Sequence, residues 1–225
     1  MDCEKIRKEI EERIGIFIPE ERAILINKYI NCIYNENKLY NLTGFKTKEE
    51  IFENLIIDSL FIFKIKLPIS NKRLLDIGSG AGIPGIPIKL VDQSVFVSAV
   101  ESNQKKFNFI KRFIDENNIE NARTTNKRIE DIARDRREKK KIGSFDIATA
   151  RAVVSLGKCL EYASPFLKNG GVFVAYKGKK FEEELRDASK CIKKLNFDMT
   201  ELIKIENTEK KIAVFRKKKE FAEKL

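Results

Sequence analysis

Leu74-Leu75-Asp76-Ile77-Gly78-Ser79-Gly80-Ala81-Gly82-Ile83-Pro84-Gly85-Ile86-Pro87 is the stretch that decides the fold of this 225-residue chain. The run from Lys72 to Ile77 reads as a short apolar strand, and it enters a turn with glycines at alternate positions before a helix opens. Glycine lets the backbone take positive dihedrals and lets a ligand approach where a β-carbon would block it. A strand, a glycine turn and a helix in that order place a ligand outside the carboxyl end of a sheet.

Working outward, Val95 to Val100 reads as a second strand, Asn103 to Asn117 as a helix and Ala122 to Thr125 as a weak third strand. Phe145 to Ala150 and Gly171 to Tyr176 follow as the fourth and fifth. Strands separated by helices imply a parallel sheet covered on both faces, an α/β fold. Phe181 to Leu195 is helical, and Asp198 to Ile205 and Lys211 to Arg216, with only a turn between them, form an antiparallel C-terminal pair that brings the sheet to seven strands. Arg134 to Lys141, with six basic residues, reads as an exposed loop or a frayed helix.

Before the first strand the texture is helical. Ile6, Ile10 and Ile14 recur at fours, and Ile24, Ile26, Ile30, Ile33 and Tyr34 mark another apolar face. Pro19 opens the second helix, Asn41 to Gly44 interrupts the periodicity, and Thr47 with Glu50 forms a capping box. Residues 1–66 are thus expected as an N-terminal helical cap on an α/β domain at 67–225, the two forming one compact unit.

Composition narrows the chemistry. No run of about 18 apolar residues occurs and the first twelve residues are charged, so a soluble, cytoplasmic, membrane-free chain is expected. The four cysteines are far apart and read as reduced thiols. Histidine is absent, which excludes serine or cysteine triads and imidazole-dependent metal sites, and no metal is expected. The charge of +11, from 45 basic against 34 acidic residues, favours a polyanionic partner such as nucleic acid; a lysine-rich codon bias would produce the same surplus.

Gly80 to Gly85 also fits the Gly-x-Gly-x-x-Gly pattern of dinucleotide sites, with Glu101 at the expected distance for the ribose. Charge separates the two ligands. A pyrophosphate needs free amides at the helix start and is repelled by an acid at Asp76, whereas S-adenosyl-L-methionine carries a sulfonium and an ammonium that an acid suits. Glu101 suits either nucleoside, so an NAD-dependent oxidoreductase stays open as an alternative on these residues alone.

The chain resembles the glucose-inhibited division protein B family, Rossmann-like class I methyltransferases that act on guanine N7 in small-subunit rRNA. The likeness is carried by Tyr40-Asn41-Leu42-Thr43, Asp58-Ser59, the Asp76 to Pro87 run, Ala150-Arg151-Ala152 and Lys177-Gly178, with Gly82-Ile83-Pro84-Gly85-Ile86-Pro87 its most specific part. The resemblance implies a cofactor lined by Gly78 and Ile83, a ribose on Glu101, an adenine flanked by Ile129 and Glu130, and Arg151 at the pocket mouth. Ile83 also suits helix packing, Glu130 a helix-start acid and Arg151 a surface cation. Asn54 stands where the family has a histidine, and with Asn41, Thr43, Asp58 and Ser59 it is expected to hold the cap against the sheet.

A methyltransferase of this kind works by positioning, with no catalytic acid or base in the chain. Guanine N7 has a free lone pair and no proton to lose, so holding it in line with the methyl is sufficient. Exocyclic amines are commonly methylated with an Asn/Asp-Pro-Pro-aromatic motif and pyrimidine carbon-5 with an activated cysteine; the chain has neither a Pro-Pro nor a Pro-Cys pair. The expected partner is 16S rRNA, the small ribosomal subunit or an assembly intermediate, met by a monomer. Arg151 and Lys177, with Lys179 and Lys180, are the expected RNA-side contacts, Arg134 to Lys141 a more distant phosphate arm, and Tyr40 or Phe45 a stacking platform. A non-catalytic RNA-binding assembly factor on the same fold is the other alternative.

Overall fold

The structure is a computed structural model that describes residues 1–151, 153–205 and 208–218. Ala152 of the Ala-Arg-Ala motif and the last residues of the chain lie outside the described residues. The sheet consists of β1 (Arg73–Ile77), β2 (Phe96–Val100), β3 (Ala122–Thr125), β4 (Phe145–Arg151), β5 (Leu167–Lys177), β6 (Phe197–Lys204) and β7 (Lys211–Lys217). Their order is β3-β2-β1-β4-β5-β7-β6. The first five strands run parallel, and β7 lies antiparallel between β5 and β6. That inserted strand separates the fold from the dinucleotide order 3-2-1-4-5-6.

The helices are α1 (Cys3–Ile14), α2 (Glu20–Asn37), α3 (Lys48–Ile51), α4 (Asp58–Leu60), α5 (Gly85–Val91), α6 (Gln104–Glu116), α7 (Ile129–Arg134), α8 (Leu156–Ala163), α9 (Phe181–Asp187) and α10 (Ser189–Lys194). Local chemistry sets several of their ends. The Asp2 carboxylate caps α1, Pro19 sits at the N-cap of α2, and Thr47 and Glu50 form the capping box of α3 as the spacing predicts. A π-helical turn, Phe52–Ile57, joins α3 to α4.

Alternation along the strands sorts the core into two layers. Leu74 faces a cluster that contains Ile30, Ile56, Ile62, Ile86 and Phe109, so the N-terminal helices, α5 and α6 share one apolar layer. Leu75 faces the other layer, with Leu156, Leu160, Phe173 and Phe181 from the α8 and α9 side. Burying a single such side chain contributes about 1.5–3 kcal/mol, and buried side chains from Ile6 to Ile65 belong to the same layer as Leu74 of β1.

Four details depart from the reading of the sequence. Ile24 is 53% exposed, because the buried stripe of α2 runs through Ala23, Ile26, Tyr29, Ile30 and Ile33, and Ile24 stands one residue, or about 100°, off it. The helix expected over Phe181–Leu195 breaks at Ala188 into α9 and α10. Strand β5 begins earlier than Gly171, at Leu167, across a register shift. The basic Arg134–Lys141 segment contains a 3-10 helix from Arg136 to Lys141 capped by Asp135, with Arg137 paired to Asp135 and Lys141 to Glu138.

Candidate functional site

The carboxyl ends of β1, β2 and β4 converge on the glycine bend. Asp76, the penultimate residue of β1, is fully buried. Its Oδ2 accepts the Gly85 N–H at 3.0 Å and its Oδ1 accepts the Thr149 hydroxyl at 3.1 Å. Burial outweighs these two donors and raises the carboxyl to about 7. The acid therefore sits beneath the bend instead of facing a ligand, which corrects the picture of a carboxylate presented to the sulfonium. It still disfavours a pyrophosphate, because the amide at the start of α5 is already taken.

Two glycines of the bend have unlike surroundings. Gly78, at φ +64°, has the Val153 side chain on its open face, where a β-carbon would come within 2.8 Å. Gly80, at φ +59°, has nothing within 4 Å of that position. Of these two glycines, Gly80 is therefore the one with open space over its α-carbon. Between them the Ser79 hydroxyl is buried without a hydrogen-bond partner among the described residues. Ile83 is buried in the layer shared with the cap, and its N–H donates to the Ser79 carbonyl, so its side chain packs while its backbone shapes the bend.

Glu101 follows β2 and is 8% exposed. Its Oε2 accepts the Gly80 N–H at 2.8 Å and its Oε1 the Asn103 N–H at 2.7 Å, and a carboxylate with four lone-pair directions retains capacity for ribose hydroxyls. Asn126 donates to the carbonyls of Glu101 and Ser102 and so holds this corner, a support that spacing did not reveal. Ile129 is buried in the second core layer at the start of α7. Glu130 turns away toward α8, where Tyr162 donates to it at 2.5 Å and holds its carboxyl below the usual range.

Arg151 ends β4 and is the neighbour of Gly78, since Ile77 pairs with Ala150. Its Nη2 lies 3.5 Å from Asp58 Oδ2, and its Nη1 is buried with no hydrogen-bond partner among the described residues. Beside it opens a cavity of about 340 Å³ lined by Asp58, Val154, Tyr176, Lys177, Ile205 and Lys210 among others. Lys177 is not a free cation there: its Nζ donates to Glu184 at 2.7 Å and to the Val154 carbonyl at 3.3 Å. Lys179 and Lys180 are exposed at the strand end. Asn54 accepts from Lys210 at 2.8 Å, and Lys210 also donates to Asp58 at 2.6 Å, so two of the residues set aside as cap supports clasp the C-terminal hairpin. Phe45 packs against the cap core, and the Tyr40 hydroxyl donates to the Lys105 carbonyl.

Residues 22–213 match the family described as rRNA small subunit methyltransferase G, GidB. The chain belongs to this family. Curated members similar to it include the ribosomal RNA small subunit methyltransferase G of Clostridium botulinum (strain ATCC 19397 / Type A), 38% identical over 196 residues, which cover 85% of this chain and 81% of that one. The corresponding protein of Mesoplasma florum is 34% identical over 193 residues, 86% of this chain and 79% of that one. Among solved structures, M. jannaschii TYW2 in complex with AdoMet superposes with a TM-score of 0.53 at 18% identity, over 69% of this chain and 72% of that one, a likeness of fold.

In this member of the methyltransferase G family the residues at the bend fit an S-adenosylmethionine nucleoside. The open face of Gly80, the unsatisfied Ser79 hydroxyl and the Glu101 carboxylate lie together, and a buried polar atom without a partner costs about 1–3 kcal/mol unless a ligand supplies one. Ser79 and Gly80 belong to the glycine motif, whereas Asn126 and Lys210 carry no motif of their own, so nothing short of the fold points to those two.

Proposed function

We propose that this protein transfers the methyl group of S-adenosylmethionine to N7 of a guanine in 16S rRNA, as a cytoplasmic monomer acting on the small ribosomal subunit or its assembly intermediate. The observation that supports it is an adjacency: the open bend at Gly80 and Glu101 and the cavity at Arg151 flank one pair of neighbouring strand ends, β1 and β4.

In this reading the backbone of the bend from Gly78 to Ile83, open at Gly80, holds the cofactor together with Glu101, the Ile129-Glu130 backbone and Arg151, and the cap (1–66) and the remainder (67–225) act as one unit. The bound cofactor supplies an electrophilic methyl on sulfur. The chain has only to present a lone pair in line with it at about 3 Å, and guanine N7 offers one without losing a proton. No base is required, and the Lys177 amine, which lines the cavity, is tied to Glu184. Val154, Tyr176 and Ile205 give the cavity apolar walls that exclude water. In A-form RNA the N7 edge lies in a groove too deep and narrow for side chains, so the guanine enters the cavity unstacked. Lys179 and Lys180 suit the flanking phosphates.

The test is transfer of labelled methyl from S-adenosylmethionine to small-subunit particles that lack the modification, followed by chemical cleavage at N7-methylguanine. Cleavage at one guanine is expected. Label confined to protein, to small molecules or to another base position overturns the proposal.

A further inference from the structure

The cavity beside Arg151 carries two features that methyl transfer itself does not require. Asp58, on α4 of the cap, is 5% exposed and lines it. Its Oδ2 takes both Lys210, at 2.6 Å, and Arg151, at 3.5 Å, while its Oδ1 accepts no hydrogen bond among the described residues. Across from it the Arg151 Nη1 is buried and unpartnered. An acceptor without a hydrogen bond and a buried donor without a partner thus belong to two residues that line the same cavity, with nothing from the described chain to satisfy them. Such groups are costly when left unpaired, which marks them as a complement to something that enters.

The other polar groups of the cavity are spent. The Tyr176 hydroxyl donates to the Ser59 carbonyl at 2.8 Å, and Glu184 takes Lys177 and the Leu156 N–H on one oxygen. The Glu184 side chain is also 29% exposed against 7% for Asp58, so its remaining oxygen is open to water. At about 340 Å³ the cavity lies at the small end of ligand pockets, the size for one flat ring system between the apolar walls of Val154 and Ile205.

We propose that Asp58 and Arg151 read the target base as guanine, the Asp58 carboxylate accepting from the N1–H and the N2 amine while Arg151 Nη1 donates to O6. The assignment rests on the guanine-N7 reading above and deepens it. Guanine presents two donors beside an acceptor on that edge, in the order that the carboxylate and the guanidinium demand. Adenine reverses it, setting the N1 lone pair against the carboxylate and the N6 amine against the guanidinium. N7 follows O6 around the ring, so this pose leaves it on the Arg151 side of the base, toward the glycine bend. Lys210, itself fixed by Asn54, orients Asp58, which gives the residue at the family's histidine position a part in base reading at one remove.

The experiment uses small-subunit particles rebuilt with 16S rRNA carrying either guanine or inosine at the target, with the full-length protein and its Asp58→Asn variant. Inosine keeps N7, O6 and N1–H and lacks only the N2 amine. The parent protein is expected to methylate inosine particles roughly ten- to a hundredfold less well in kcat/KM. Asp58→Asn is expected to lose a similar factor on guanine and to lose the preference for guanine over inosine, while its S-adenosylhomocysteine affinity is unchanged. The inosine arm needs no variant and stands even if Asp58→Asn fails to fold. Equal rates of the parent on guanine and inosine, or an undiminished preference in a folded Asp58→Asn protein, overturn the assignment and leave the methyltransferase reading intact. Failure of the parent to methylate guanine particles removes that reading, and this assignment with it.

Discussion

The carboxylate of Glu101 accepts the N–H of Gly80 at 2.8 Å, which ties the end of β2 to the bend that follows β1. The same side chain takes the Asn103 N–H at 2.7 Å, so one acid organises both the glycine bend and the start of α6. Glu101→Ala removes both bonds and the acceptor proposed for the ribose. Leaving two part-buried N–H groups without partners is expected to cost about 1–3 kcal/mol of stability. S-adenosylhomocysteine affinity is expected to fall by at least about tenfold, the loss of one charge-assisted hydrogen-bond partner. Isothermal titration beside a urea melt reads both; unchanged affinity in a folded variant would remove Glu101 from the cofactor site.

Tyr29 provides the clasp from the other side. It is fully buried in α2, its hydroxyl donates to the Ala81 carbonyl in the bend, and burial raises its hydroxyl well above the ordinary value, so it stays a donor at every accessible pH. Tyr29→Phe keeps the ring contacts with Phe109 and Phe113 and deletes the bond. An expected loss of about 1–3 kcal/mol follows from the orphaned carbonyl. Hydrogen exchange should also show faster opening of residues 78–83, because the cap no longer holds the bend. A melt superimposable on the parent's would show that packing alone fixes the two together.

These two ties illustrate what a sequence can and cannot disclose. The strand, glycine turn and helix at Leu74 to Pro87 were legible because strand pattern, glycine spacing and helix start are local signals, as was the capping box at Thr47. The place of β7 between β5 and β6 was not, since the register that puts it there joins segments far apart in the chain. Lys177 reads as a cation from its letter, and only the fold supplies Glu184 to occupy it. The pairing of Lys210 with Asp58 spans 152 residues and leaves no spacing to notice. Nor does a glycine motif say which glycine faces open space, because Val153, which covers Gly78, arrives from the turn after β4.

The buried acid beneath the bend makes stability depend on pH in a stated direction. Asp76 keeps its proton in the folded protein up to about pH 7, while an unfolded chain releases it near 4. Between those values the folded state binds more protons than the unfolded one, so stability falls as pH rises across the window, by at most about 1.4 kcal/mol per pH unit. Asp76→Asn keeps an acceptor for Gly85 and turns its amide toward the Thr149 hydroxyl, and it has no proton to lose. Its urea midpoint is expected to match the parent's at or below about pH 4 and to exceed it at pH 8. Parallel pH profiles for the two proteins would show that Asp76 titrates as an ordinary acid.

Gly78 and Gly80 separate backbone strain from occupied space. Both have positive φ, so alanine at either costs about 1–2 kcal/mol of strain. At Gly78 the new methyl also meets Val153 at 2.8–2.9 Å, and that side chain must move, which adds destabilisation before any ligand is considered. At Gly80 the methyl meets nothing of the protein. Gly80→Ala is therefore expected to be the more stable of the two variants and yet to lose S-adenosylhomocysteine binding by a hundredfold or more, roughly the 3 kcal/mol of a bulky group set in a tightly packed contact. Thermal melts rank the stabilities and titration calorimetry ranks the affinities. If Gly80→Ala binds as the parent does while Gly78→Ala does not, the nucleoside lies over Gly78 with Val153 displaced, and the open face at Gly80 has another use.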